Sequence, residues 1–409
     1  MKFRTYIKGS ILPTVLVMGT VMFMGVLICI DLYDIKWRLS AGNYADLQRN
    51  AWVESALLLY QLDSTFMQRL DKNNSILLFD DQPQSAVTIH KSNWGLYELV
   101  TAETHDKKLK KRCLMGYRAD TGISPALYVS DNGQAFTLAG NSNLKGLAYL
   151  PENDLLYSQV ESDFYSGEYL ENSFIKQSSE DLPEHIEYAQ AMQNLKGIHP
   201  QVTPLNKVSL KNSFAENTLY LQSNTVPGGT IKGNIVIHSD QKIEIHNDTY
   251  IEDAILVAPK VIIHDGFRGN LQVISSDTVL LGEEVVLNYP SGIFIPEAGQ
   301  DSYIEIGPKS RVNGYVIFCR QEEDKEEKLS PHYYQNDSTR VRGLVWIEGI
   351  SQIHGGITGS LYGQDINYYT SEGYYRNILY NAKVYSSDAM AYPFWLKSNH
   401  GKKIVKWVG

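Results

Sequence analysis

The chain has 409 residues, 43% of them hydrophobic and 20% charged. That is enough apolar content for one or two cores, and it excludes a wholly disordered or collagen-like protein. Its 37 Lys and Arg stand against 46 Asp and Glu, a net charge of -9; no nucleic acid is expected as a partner, because neutralising phosphates requires a basic face.

Residues 1–10 are a short basic leader carrying Lys2, Arg4 and Lys8, and residues 11–30 follow without one charged side chain. A helix of twenty residues rises ~30 Å, the thickness of the hydrocarbon layer. Residues 11–31 are therefore predicted to cross a lipid bilayer. Asp31 and Asp34 offset Lys36 and Arg38 on the far flank, whereas the near flank is basic, which directs the N-terminus to the cytoplasm and the bulk of the chain to the exterior. The location predicted is single-pass in the inner membrane of a bacterial envelope. A cleaved secretory signal fits poorly, since the apolar run exceeds the ~7–15 residues of such signals and no small-x-small site follows. A lipoprotein reading fails at Ile28, which is too large to precede an acylated Cys29.

Lys8, Gly9 and Ser10 ahead of the apolar run resemble the start of type IV pilins and type II secretion pseudopilins. In that group a short basic leader ends in Gly, and the next residue opens a long apolar helix that continues into the exterior domain. The resemblance covers residues 8–60 and implies processing between Gly9 and Ser10, with other envelope or pilin-like subunits as partners. Thr14 stands where most pilins carry Glu, just after an unusual Pro13; minor members of the PilX and GspK classes also lack that Glu. An uncleaved anchor is the other reading.

Tyr44, Leu47, Ala51, Leu58, Leu62 and Phe66 recur at helical steps, which predicts a helix over 34–70 within a stalk spanning 32–71. Gly42 is its weak point. The stripe needs a partner, either this chain's own domain or another subunit. Beyond residues 71–74 the helical spacing gives way to short alternating runs at 87–90, 94–100 and 126–129, a small β-rich exterior module with a connector placed at 72–200. The basic run 107–112 reads as a solvated hairpin tip, with acidic lipid or polysaccharide as its rarer ligands. Pro200 and Pro204 mark the boundary to the next module.

Short aliphatic runs then return at 235, 255, 271, 293 and 315, interleaved with a second series at 243, 261, 279 and 304. Gly precedes the first series repeatedly, at Gly233, Gly269, Gly292, Gly314 and Gly343, as a sharply turning repeat requires. Units this short cannot bury their own apolar faces, so they must stack. The fold class predicted is mainly β, with a parallel β-helix solenoid at 213–362; an antiparallel sandwich would need tight Asn-Gly or Asp-Gly hairpins between its runs, and only Asp265-Gly266 lies in such a place. Residues 217–362 resemble the polymer-forming solenoids of bactofilins, a likeness of shape that implies no catalytic signature. The acidic run 321–328 interrupts the repeat as a loop, and the aromatic tail at 363–409 is the candidate cap.

Three similar segments, 235–240, 243–248 and 261–266, bring His246 and His264 one repeat apart, near Asp240, Asp248 and Asp265. Such residues are metal ligands in principle; their commoner use is to end strands in turns, and no metal, cofactor or catalytic residue is predicted. Glu244, Asp265 and Arg268 are among the candidates for a polysaccharide lyase or hydrolase site, and their spacing has no catalytic signature. Cys113 and Cys319 are expected to stay free, with Cys29 in the bilayer. The function expected is a non-catalytic, membrane-anchored structural or assembly role, with a surface β-helix that binds or cleaves polysaccharide as the alternative.

Overall fold

The computed structural model describes residues 11–62, 74–119, 122, 124–186, 203–204, 209–320, 330–371, 373–396 and 401–409. Gly9 and Ser10, Phe66, Pro200 and the acidic run 321–328 lie outside the described residues.

One helix, Ile11–Leu62, runs for 52 residues, a length of ~78 Å. It passes through Gly42 without a break, and the space around that residue is open. From Leu12 to Leu39 its large apolar side chains are exposed, whereas Trp52, Val53, Ala56, Leu57 and Tyr60 are buried at steps of three and four. These meet Val87, Ile89, Val100, Ala102, Cys113 and Met115 in one apolar cluster. The buried stripe is not the predicted one. Tyr44, Leu47, Leu58 and Leu62 all face outward, because two helical stripes compete for one seat and the one holding Trp52 and Tyr60 buries more area.

The seat is an antiparallel sheet of Ala86–Trp94, Tyr97–Thr104 and Lys110–Arg118, edged by Ser75–Leu77. The C-terminal strand Lys402–Val408 and the short Ala391–Tyr392 both pair with Lys110–Arg118. Residues 94–100, read as one strand from sequence, contain a two-residue turn instead: Trp94 faces Tyr97, and Gly95 takes φ 61 at the corner. The basic run divides between the turn and the next strand, where Lys111 pairs with Glu54 of the helix at 2.8 Å.

The second sheet is parallel throughout and closes on itself. Its register links Leu221, Ile237, Leu256, Val273, Ile293, Val316, Val345 and Leu361 in one row, which continues through Leu127 and Ala148 to Ile175. The aliphatic members of this row lie in the largest core. Leu127–Val129, Asn143–Lys145, Ala148–Leu150 and Ile175–Gln177 thus join the same sheet as the strands at 209–366, and pairing crosses the boundary drawn near 200 from Pro200 and Pro204. The tail does likewise through Ala382–Tyr385, which pairs with Gly355–Ile366 on one side and Asn143–Lys145 on the other; Ile378–Tyr380 pairs with Phe136–Ala139 in a separate four-stranded sheet that also holds Leu155–Val160 and Asp163–Phe164. Backbone complementarity over such distances leaves no local trace in sequence.

Gly314, Gly343 and Gly359 align in register at φ 141, 127 and 143. A Cβ at Gly343 would lie 1.9 Å from the Gly314 carbonyl oxygen, so the recurrent glycine is required both by φ and by close stacking. The outer face of the same strands carries Val236, Ile255, Phe294, Tyr315, Ile317, Leu344 and Trp346, which pack against Trp94, Leu96, Tyr97, Leu114 and Trp395. The helix, the antiparallel sheet and the parallel sheet are thereby joined by two apolar layers. The protein is mainly β, with one long N-terminal apolar helix.

Candidate functional site

Three features have the exposure or the convergent polar groups that function needs. The first is the helix. Its membrane-length apolar portion has a mean hydropathy of 2.4 over its best window and none of it is buried, so it is long and apolar enough to cross a bilayer. Its far end is fixed by polar groups as well as by packing. Tyr60 Oη donates to Glu98 Oε2 at 2.6 Å, and Lys402 Nζ donates to both Tyr60 Oη at 2.6 Å and Glu98 Oε2 at 2.9 Å. Burial pushes the Tyr60 phenol well above its usual range, with Glu98 adding to the effect, and burial lowers the Lys402 ammonium. Arg49 bridges Asp46 and Asp106 at 2.7 Å each. Burial opposes ionisation of Asp106, but the Thr104 hydroxyl, the Lys108 amide and Arg49 outweigh it and bring that carboxyl to about 2.

The antiparallel sheet is locked to the parallel one by Gln272. Its Oε1 accepts from the Leu96 amide at 3.1 Å and from Tyr315 Oη at 2.6 Å, and its Nε2 donates to the Trp94 carbonyl at 3.0 Å. Nearby, Lys406 Nζ reaches Glu252 at 2.9 Å and Asp253 at 2.7 Å, and Lys232 joins Glu252 at 2.9 Å. Burial works against the charge on Glu252, yet the two lysines hold it at about 2; burial raises Asp253. None of these groups stands out in sequence, since each partner lies far along the chain and each residue type is common on surfaces.

The second feature is the histidine corner. Glu244 pairs in register with Ile262 and Ile245 with Ile263, so the residues that follow, His246 and His264, fall one above the other. Their rings lie 4.1 Å apart at an interplanar angle of 4°. Glu244 joins them, with its Oε1 accepting from Lys242 Nζ at 2.7 Å and its Oε2 4.0 Å from His264 Nε2. The Lys242 hydrogen bond holds the Glu244 carboxyl below its usual range. One ligand atom from each of the three lies within 4.8 Å of the others. The stacking of His246 and His264 is legible in sequence. The acidic member is not: Asp265 instead accepts from the Glu283 amide at 2.8 Å, and Asp240 sits 3.6 Å from His238. Arg268 is exposed at the first position of the strand Arg268–Leu281 in the same sheet.

The third feature is a groove of about 420 Å³ lined by Arg340, Arg342, Lys383, Thr358 and Tyr385. Gly356 lies in register between Arg340 and Lys383, and its missing side chain opens the floor. The three cations are exposed and have no ion-pair partner among the described residues.

Cys113 and Cys319 are free and buried. Burial pushes the Cys113 thiol up to about 12 and also raises the Cys319 thiol, with Glu348 adding to the effect, which leaves both as poor nucleophiles. No protein-family model, curated protein or solved structure matches the chain.

Proposed function

We propose that the protein is a non-catalytic subunit of an envelope assembly, anchored through residues 11–31 in the inner membrane with its N-terminus in the cytoplasm, and akin to minor pilins and pseudopilins. In this reading the closed parallel sheet is a β-helix solenoid that stands outside the membrane. The observation that carries the proposal is the helix. One face of its far end is built into the chain's own core, while Tyr44, Leu47, Leu58 and Leu62 on the other face stay uncovered and continue the apolar surface of the membrane segment. A helix ~78 Å long is more than twice the hydrocarbon thickness, so this surface extends well past any bilayer. Equivalent helices of neighbouring subunits, packed side by side, satisfy that surface both within the membrane and beyond it.

The test has two parts on the full chain in its native membrane. N-terminal sequencing is expected to find a mature start at Ser10, and photo-crosslinkers at Leu47 and Leu58 are expected to capture the helix of a second envelope subunit. A start at Met1 removes the pilin-like processing; a start at Met1 with no helix crosslinks removes the assembly reading.

The unpaired cations of the groove favour a second reading, a surface β-helix that binds acidic polysaccharide. Successive strands stand ~4.8 Å apart, so Arg340 and Lys383 present charges at intervals suited to an extended polyanion. Retention on an anionic polysaccharide column, lost in Arg340→Ala with Lys383→Ala, supports this reading. Equal retention of the variant sinks it.

A further inference from the structure

We infer that Glu244, His246 and His264 form a binding site for one divalent transition metal, with Zn²⁺ the ion it suits best. Two imidazoles and a carboxylate are the ligand types that zinc accepts with water in the fourth position, whereas Mg²⁺ and Ca²⁺ call for oxygen alone.

Two independent observations point to a ligand. First, His264 Nε2 is itself shielded from solvent and has no hydrogen-bond partner among the described residues, although the side chain as a whole is 41% exposed, which leaves a covered polar atom unsatisfied. Glu244 Oε2 stands 4.0 Å from it, too far to bond directly. Second, the two rings are stacked with their centroids 4.1 Å apart and nearly parallel, and one ligand atom from each ring and from Glu244 lies within 4.8 Å of the others. Tetrahedral zinc with bonds of ~2.0–2.1 Å separates two ligand atoms by ~3.3 Å. The 4.0 Å between Glu244 Oε2 and His264 Nε2, and the 4.8 Å within which one ligand atom of each residue lies, exceed that figure by up to ~1.5 Å, so binding requires the two rings to turn out of their parallel stack until their lone pairs converge on the ion, together with a turn of the Glu244 carboxylate.

The backbone fixes the rest. His264 N donates to Ile245 O at 2.9 Å, which holds the two histidine positions at one register step. The next repeat places Gly282 over His264, its amide bonded to Ile263 O at 2.8 Å, and the preceding repeat places Pro227 under His246, after Val226 pairs with Ile245. Neither residue carries a donor side chain. The pair is therefore bounded above and below, and it takes one ion rather than a row of them. Lys242 holds one oxygen of Glu244 and leaves the other free for the metal, an outer contact of the kind that orients metal-binding carboxylates.

The test uses the full chain in detergent micelles, stripped with a chelator and titrated with Zn²⁺ by calorimetry and with Co²⁺ by visible absorption. We expect one Zn²⁺ per chain and a tetrahedral Co²⁺ spectrum. His264→Gln and Glu244→Gln are each expected to weaken binding by at least ~10-fold, while His238→Gln binds as the parent does. On the unmodified chain, bound Zn²⁺ is expected to protect His246 and His264, but not His238, from acylation read by mass spectrometry; this measurement holds even if a variant misfolds. Absence of stoichiometric binding overturns the site. So does binding that survives His246→Gln combined with His264→Gln, or acylation of both histidines unchanged by the metal.

Discussion

Gln272 is the residue on which the junction between the two sheets turns, and Gln272→Ala tests it. Truncation removes the partner of three groups at once: the Leu96 amide, the Trp94 carbonyl and the Tyr315 hydroxyl. All three residues are at least 95% buried, at 2%, 5% and 0% exposure. A buried polar group stripped of its partner costs ~1–3 kcal/mol. The two backbone groups sit at the hairpin turn and regain some solvent by local movement, so we take the low end for each and expect a loss of about 3 kcal/mol in the free energy of opening this corner. The assay is amide hydrogen exchange by mass spectrometry on peptides covering 94–97, with the chain in micelles. Every 1.4 kcal/mol is a factor of ten, so exchange there is expected to speed up about 100-fold, while peptides in the 87–89 strand change little. Gln272→Met keeps the volume without the hydrogen bonds and is expected to behave like the alanine variant rather than the parent. If Gln272→Met exchanges as slowly as the parent, the corner is held by packing of Trp94 and Tyr97 alone, and the hydrogen-bond argument fails.

Gly343→Ala is expected to prevent folding of the parallel sheet or to cost more than ~3 kcal/mol, since it combines a disfavoured φ with a Cβ 1.9 Å from backbone oxygen; thermal unfolding followed by circular dichroism checks it, and a parent-like midpoint refutes it. The Lys406 cluster predicts a pH dependence. Glu252 is depressed to about 2 in the folded chain from an ordinary 4.5, so its stabilisation is complete above the ordinary value and is lost as pH falls through about 2. Asp253 opposes this, because burial raises its carboxyl above the ordinary 3.8 and its protonation in the folded state comes first. Lys406→Met is therefore expected to lower the unfolding midpoint at neutral pH, with the gap from the parent shrinking as acid protonates Glu252; a gap independent of pH contradicts the assignment.

What could be read from sequence followed the physics that is local. The uncharged run at 11–30, the 3.6-residue period and the returning aliphatic triplets each express a rule that acts over a few residues, and each corresponds to a described element. The choice between two helical stripes was not legible: Leu47 and Leu58 satisfy the period as well as Val53 and Leu57 do, and only the distant strands 86–118 decide which face is covered. The same holds for the corner. The equal spacing of His246 and His264 from their strands is visible in the chain, but the third donor depends on which carboxylate the turn leaves free, and Asp265 is taken by an amide one repeat later. Strand partners were hidden for a related reason. A stack of repeats accepts a strand from any part of the chain that offers the right backbone edge, so Leu127–Val129, Asn143–Lys145, Ala148–Leu150, Ile175–Gln177 and Ala382–Tyr385 join it across gaps that no periodicity spans. This interleaving has a mechanical consequence. The C-terminal strand Lys402–Val408 touches the helix through Lys402 and the parallel sheet through Lys406, so a force applied along the helix reaches the closed sheet through strand pairing and two lysine clamps rather than through a flexible linker. A subunit that must hold its exterior part in a fixed pose relative to neighbouring helices needs that kind of connection, and a freely tethered binding module does not.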